Sequence, residues 1–230
     1  MKLYNFDFGP YPQRVNIYLA EKGLTDVERE YLEAPTGKTK WPPDEVAAHS
    51  QTGSLPIIVD DDGTVVAQSL AILEYLEDIR PEPDMRGRTA AERARTRQLV
   101  AVFDEALDGF ALWGKYGSDL GGYDKHDYRQ VFNIGAQKYV QKLRLAERMI
   151  ADTEFLAGNR VTIVDCVAMA MLQYTKDFFD VPLPPDCPKL VRWYMRFSKR
   201  PGCKSGVFPS EQHEIGRGLM RQTGVTFAEL

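Results

Sequence analysis

The sequence predicts a small α/β domain followed by an all-helical domain, on three observations. The first eighty residues alternate strand and helix signals; from Arg88 onward strand signals stop and long helical periodicities take over; and the Pro- and Arg-rich stretch RPEPDMRGR lies between the two halves. The expected boundaries are 1–80 for the α/β domain, 81–88 for a linker and 89–230 for the helical domain.

Each element has its own signature. Lys2 to Phe6 reads as a short strand, and FGPYP as a tight turn into a helix over Pro12 to Lys22 that Gly23 stops. Val27 to Leu32 reads as a second strand. LPIIVDDDGTVVA gives two apolar runs joined by Asp-Gly, a hairpin signal. A helix then runs from Ser69 to a stop before Pro81, for an order β-α-β-α-β-β-α. In the second half, Ala90 to Trp113 carries Leu99, Val102, Phe103, Ala106 and Phe110 at helical spacing. Further helices are expected over Tyr128–Ile150, Ile163–Phe178 and Lys189–Lys199, the first of these preceded by the glycine-rich, aromatic join WGKYGSDLGGYDKHDY.

Composition narrows the function classes. With 230 residues, 43% hydrophobic and 27% charged, the chain reads as soluble and globular. A net charge of −4 gives no ground for nucleic acid as a partner, and the basic run MRGRTAAERARTR, interleaved with Glu92 at helical spacing, reads as a solvated face or a subunit contact. No apolar run reaches the roughly 18 residues a membrane span requires, and the N-terminus lacks the apolar stretch of a signal peptide. Three cysteines in no paired spacing fit a reducing cytoplasm, and neither they nor the three histidines form a metal-ligand pattern.

Four motifs carry the functional content. GPYP aims a helix N-terminus at one end of the sheet, yet the turn holds no Cys, Ser, Thr or His. In GSLPIIV a proline opens a strand; a cis Leu55–Pro56 bond would leave the backbone of Leu55 free to pair with an extended peptide, whereas a trans bond would make this an ordinary edge strand. Gln68 and Ser69 begin a helix that leaves a strand, a place suited to a carboxylate, although Ser69 is also a good N-cap. Thr162 to Asp165 forms a capping box of structural character, and Cys166 behind it is a core residue.

In this order and spacing, PYPQRVNIYLAEKG, TGSLPIIV, AQSLAILEYLED, FLAGNRVTIVD and RPG resemble the glutathione S-transferase superfamily over about residues 1–202. The resemblance implies a thioredoxin-like N-terminal domain that binds glutathione as co-substrate and a helical-bundle domain that supplies a hydrophobic pocket, in a cytoplasmic homodimer. Carried over by position, Leu55 would bond the cysteinyl backbone of glutathione with Pro56 cis, and Gln68 and Ser69 would hold the γ-glutamyl carboxylate. Lys40 would meet the glycyl carboxylate, with Lys38 close behind. Phe8, Phe103, Phe110 and Trp113 are the candidates for the pocket wall, with Tyr11 beside them, and Tyr116 and Tyr123 for its closure.

The chain departs from the family at the activating group. The Ser or Cys that precedes the proline in two of its types is Gly9 here, and the Tyr at the end of the first strand is Asn5. Three donors remain for the glutathione sulfur: the Tyr11 hydroxyl, the Asn5 amide, and the backbone N–H groups of Tyr11 and Gln13. The expected activity is attack of glutathione thiolate on a hydrophobic, aromatic electrophile. Glutathione-dependent reduction of peroxides or disulfides, and a non-catalytic glutathione-binding scaffold, are the alternatives. The tail after Cys203 either packs back over the pocket or stays loosely held.

Overall fold

The computed structural model describes residues 1–33, 42–50, 53–204 and 206–230. Its first part holds β1 (Lys2–Asn5), α1 (Pro10–Lys22), β2 (Glu28–Tyr31), a short α2 (Asp44–Ala47), β3 (Ile57–Val59), β4 (Val65–Ala67) and α3 (Ser69–Ile79). Among the described residues the four strands make one sheet in the order β2-β1-β3-β4. β1 runs parallel to β2 across the α1 connection, and the pairs β1–β3 and β3–β4 are antiparallel. The element order is the one the sequence predicts, and the sheet is the thioredoxin-like one that the resemblance implies. The register sets Tyr4 beside Ile57 and Ile57 beside Ala67. As a result the end of β1, the start of β3 and the end of β4 lie side by side at one end of the sheet.

Helices fill the second part: α4 (Ala90–Gly117), α5 (Arg129–Met149), α6 (Ile163–Leu172), α7 (Pro188–Phe197), α8 (Ser210–Gly216) and α9 (Leu219–Thr223). α6 continues as a π-helical turn over Gln173–Phe178, within the helix expected to end at Phe178. α4 and α5 cross with their backbones in contact: a Cβ on Gly135 would stand 2.6 Å from the Gly109 carbonyl oxygen, so both positions need glycine. No helix among the described residues is long and apolar enough to cross a membrane. All three cysteines are free and buried.

The two parts share a core through α1. Val15, Ile17, Tyr18 and Leu19 are fully buried between the sheet, α3 and α6, each apolar side chain worth ~1.5–3 kcal/mol on burial. Charge pairs hold its length. Arg14 reaches Asp104 on α4 at 2.8 Å, and Glu21 receives a bidentate contact from Arg200 at 2.6–2.9 Å. The ammonium of Lys22 meets Glu77 on α3 at 2.7 Å with both side chains fully buried. Glu77 also accepts from the Tyr18 hydroxyl at 2.6 Å and from the Met85 N–H at 3.1 Å, while Lys22 donates to the Pro83 carbonyl. The segment 81–88 is thereby tied to α1 and α3, and the Met85 carbonyl accepts from Ile163 at the start of α6.

The capping box of α6 forms as the sequence predicts. Asp165 accepts from the Thr162 N–H and hydroxyl, from Leu156 N–H at 3.0 Å and from the Trp193 indole at 2.8 Å. Burial pushes its carboxyl up to about 6 against the pull of these donors. The tail packs back on the helical domain: Thr223 accepts from the Trp113 indole at 3.2 Å, and Leu219 N–H donates to the Phe179 carbonyl. Asp165→Ala would strand several buried donors at ~1–3 kcal/mol each. A fall of about 10 °C in the thermal midpoint is expected by circular dichroism, at ~2–4 °C per kcal/mol for a chain of this size. A shift under about 2 °C would show that the box carries no load.

Candidate functional site

The sheet end described above carries the three segments singled out in the sequence. Gly9 is the residue before α1, with φ 97° and ψ 157°, a backbone region that side-chain-bearing residues avoid. Its hypothetical Cβ would meet only Pro12, at an ordinary 3.6 Å. The obstacle to a Ser or Cys at this position is therefore the backbone angle rather than lack of space. The turn can start α1 in this geometry only by giving up the side chain that would carry a hydroxyl or thiol.

The donors available at the α1 N-terminus follow from its sequence. Pro10 and Pro12 have no N–H. Gln13 N–H is spent on the Gly9 carbonyl at 3.0 Å, so it is removed from the set the sequence offered. The Tyr11 N–H is left as the free donor of the first turn, at the positive end of the helix dipole. Asn5 is fully buried beneath, and its amide donates to the Pro12 carbonyl at 3.3 Å and to Asn16 Oδ1 at 3.1 Å. Both of its hydrogens hold the turn onto β1, which leaves none to aim at a ligand.

Tyr11 is 44% exposed, with the Arg14 guanidinium 5.2 Å from its ring centre. Partial burial raises its phenol above the ordinary value, against the lowering influence of Arg14, so the hydroxyl stays protonated and can donate. Leu55–Pro56 is cis. Gln68 is the N-cap of α3 with φ 74°, and its side chain makes no capping bond. Ser69 occupies the first helical position rather than the cap; it is 5% exposed, and its hydroxyl has no partner among the described residues. A non-glycine residue held at positive φ marks a place shaped for something other than stability.

A cavity of about 520 Å³ opens where the two parts meet. Phe6, Phe8, Gly9 to Pro12 and Leu55 form its wall on the sheet side. Leu107, Phe110, Ala111 and Gly114 of α4 form the opposite wall, with Tyr174 and Phe179 closing one side and Lys115, Leu120 and Gly121 the other. Burial pushes the Tyr174 phenol up to about 12, so it too is neutral. The volume lies within the ~300–1,000 Å³ range of small-molecule sites.

The structure thus brings Tyr11, Phe8, Leu55 and Phe110 to one cavity, and the β3–β4 register sets Pro56, Gln68 and Ser69 at the same sheet end, outside the cavity lining. Phe103 and Trp113, expected in the wall, are fully buried in the helical core instead. The cavity stripe of α4 is 107, 110, 111 and 114: Phe103 lies a turn before it, and Trp113 turns toward α9. Tyr116 and Tyr123 cluster with Tyr128 outside the wall, Tyr116 stacked on Tyr128 and Tyr123 edge-on to it. Lys40 and Lys38 lie outside the described residues. Sequence reasoning passed over Tyr174 and Phe179; the signal was the aromatic run at the end of the buried α6 pattern.

Comparison with known proteins agrees with this architecture. Residues 8–79 match the family model of the glutathione S-transferase N-terminal domain, and residues 129–201 that of the glutathione S-transferase C-terminal domain. FtsZ-localized protein A of Caulobacter vibrioides is 32% identical over 211 residues, covering 86% of this chain and 87% of that protein. Glutathione S-transferase 2 of Saccharomyces cerevisiae is 27% identical over 208 residues, covering 89% and 88%. A crystal structure of a glutathione S-transferase domain-containing protein from Marinobacter aquaeolei superposes with TM-score 0.75 at 27% identity, covering 89% of this chain and all of the other.

Gly9→Ala should lower the unfolding free energy by about 1–3 kcal/mol, the usual cost of forcing a side chain into such a backbone region. Urea unfolding reads this directly. An unchanged midpoint would mean that the turn adopts another conformation in solution.

Proposed function

The chain belongs to the glutathione S-transferase superfamily, and we propose that within it this protein is a transferase that adds glutathione to a hydrophobic electrophile. The observation that carries the proposal is the cavity itself, in which an apolar wall from α4 and Tyr174 faces the Gly9–Pro12 turn and Leu55. The backbone N–H and C=O of Leu55 pair with the cysteinyl residue of glutathione as an added strand would. The γ-glutamyl carboxylate sits at the start of α3, where the unpaired Ser69 hydroxyl, Gln68 and the helix dipole receive it. This arrangement sets the glutathione sulfur at Tyr11.

Activation is the chemical demand. A free thiol with pKa ~8.5 is only about 3% ionised at pH 7, and lowering that value by ~2 units requires about 2.7 kcal/mol of preference for the thiolate. With Asn5 and Gln13 engaged elsewhere, Tyr11 supplies both donors, its N–H along the helix axis and its hydroxyl from the side. The thiol proton leaves to solvent, the sulfur forms a bond to the electrophilic carbon, and the leaving group departs with its electron pair. Neutral phenols and aromatic walls fit an apolar, aromatic acceptor.

A second reading has its own support: a non-catalytic glutathione-binding module. The relative of Caulobacter vibrioides carries a name for its localisation and none for a reaction. Gly9 and the engaged Asn5 remove the side chains that usually activate the thiol. The two readings part on turnover of an aryl halide with glutathione. The concave face between α3 and α4, with Leu70, Val100 and Ala101, supports a homodimer, and the three free cysteines support a reducing cytoplasm.

Ser69→Ala and Gln68→Ala should each weaken glutathione binding, Ser69→Ala by about tenfold or more, since charge-assisted hydrogen bonds are worth ~1.5–3 kcal/mol. Calorimetric affinities equal to wild type in both would remove the carboxylate site from α3. Tyr11→Phe should lower kcat/KM for the aryl halide by about tenfold at pH 7. A change within about twofold would take the hydroxyl out of the mechanism and leave the backbone.

A further inference from the structure

Lys115 is the one charged side chain among the described residues that line the cavity. It stands in the last turn of α4, at the negative end of the helix dipole, which favours a cation there. Its ammonium lies 5.3 Å from the ring centre of Tyr116 and 5.7 Å from that of Tyr123. Those rings are fixed in turn: Tyr116 is 4.7 Å from Tyr123 and 4.8 Å from Tyr128, and Tyr123 is 5.1 Å from Tyr128. Tyr116 and Tyr123, which the sequence offered as a closing element, lie instead outside the wall and, with Tyr128, flank the ammonium of this cavity-lining lysine.

The charge is unspent. Among the described residues Lys115 forms no ion pair, and the carboxylates nearest in sequence or around the cavity have other partners. Asp119 pairs with Lys125 at 2.5 Å, Asp104 with Arg14 at 2.8 Å, and Asp108 with Lys138 at 3.7 Å. Ring contacts engage a lysine through its positive charge and leave its N–H donors free for an oxygen. A side chain pre-positioned on rings also loses less rotamer freedom when it binds.

We propose that the second substrate is amphipathic: an apolar, aromatic body that fills the cavity and an anionic group, a carboxylate, that pairs with Lys115. This rests on the transferase reading for the role of the cavity and names the class of acceptor it takes. Lys115 acts here as a specificity residue, since it meets a part of the acceptor remote from the reacting carbon.

The test separates the two claims. Calorimetry measures binding of nitrobenzoate and of its methyl ester, neither of which has a leaving group, to the glutathione-saturated protein. Wild type should favour the anion over the ester by about fivefold to tenfold. In Lys115→Met that ratio should fall to about one, and in Lys115→Arg it should persist. A wild-type ratio of one or less, or a ratio that Lys115→Met preserves, overturns the proposal. So does a loss of glutathione affinity in Lys115→Met with the ratio intact, which would assign the cation to glutathione. Turnover is then followed with a chloronitrobenzoate and its ester, where the C–S bond forms, chloride leaves with the bonding pair and the thiol proton passes to solvent. Absence of turnover for both, with the binding ratio as expected, would remove the transferase reading and leave the anion subsite standing.

Discussion

The docking of α1 is the constraint on which the rest of the molecule depends. The helix is buried on opposite faces, and its charged residues are committed in three directions: Arg14 to α4, Glu21 to Arg200 beyond α7, and Lys22 to Glu77 on α3. The Lys22–Glu77 pair is fully buried, and removing one partner of such a pair typically costs ~3–5 kcal/mol because the other charge is left in a dry interior. Tyr18, Met85 and the Pro83 carbonyl complete the shell around it. With α1 fixed against both halves of the molecule, the position of its first turn at the cavity is fixed as well.

That first turn is where the proposed chemistry would have to proceed with no side-chain nucleophile of the protein's own. Gly9 at φ 97° directs the chain into α1, and two prolines remove N–H groups that would otherwise face a ligand. Asn5, which stands where a hydroxyl is usual, is turned inward to secure the Pro12 carbonyl. Among the described N–H donors of the turn and Asn5, only those of Tyr11 are left unengaged. On the proposed reading the nucleophile enters with the co-substrate, and the protein contributes orientation, a dipole and a small number of donors.

Much of this was legible in the sequence, and what was not has a common cause. Short motifs with local physics were readable: the Asp-Gly hairpin, the Thr162–Asp165 box, the proline opening β3 and the helix starting at Ser69 all encode their geometry within a few residues. Cavity walls are set by distant segments. The apolar face of α4 shows in its periodicity, but the periodicity does not say which sector meets α5 and which meets open space; hence Phe110 lines the cavity, while Phe103 and Trp113 join the core. Tyr174 and Phe179 reach the same cavity from a distant part of the chain, through a π-helical turn that no spacing rule announces. Likewise, that Gln13 N–H and the Asn5 amide are already spent is a fact of tertiary contacts. The tail, undecided by sequence, docks because Trp113 and Phe179 offer it partners.

What joins these points is a division of labour, on the proposed reading, between a sheet end that receives an anion and an apolar wall. The turn, Leu55 and the start of α3 present backbone and hydroxyl groups suited to a peptide, and α4 with its neighbours presents rings and one tethered cation. The central claim is that the α1 turn ionises a thiol held against that wall. Its most direct test is an ultraviolet titration of glutathione bound to the protein, following thiolate absorbance against pH. The account predicts a midpoint about two units below the ~8.5 of a free thiol. A midpoint equal to that of free glutathione would contradict it.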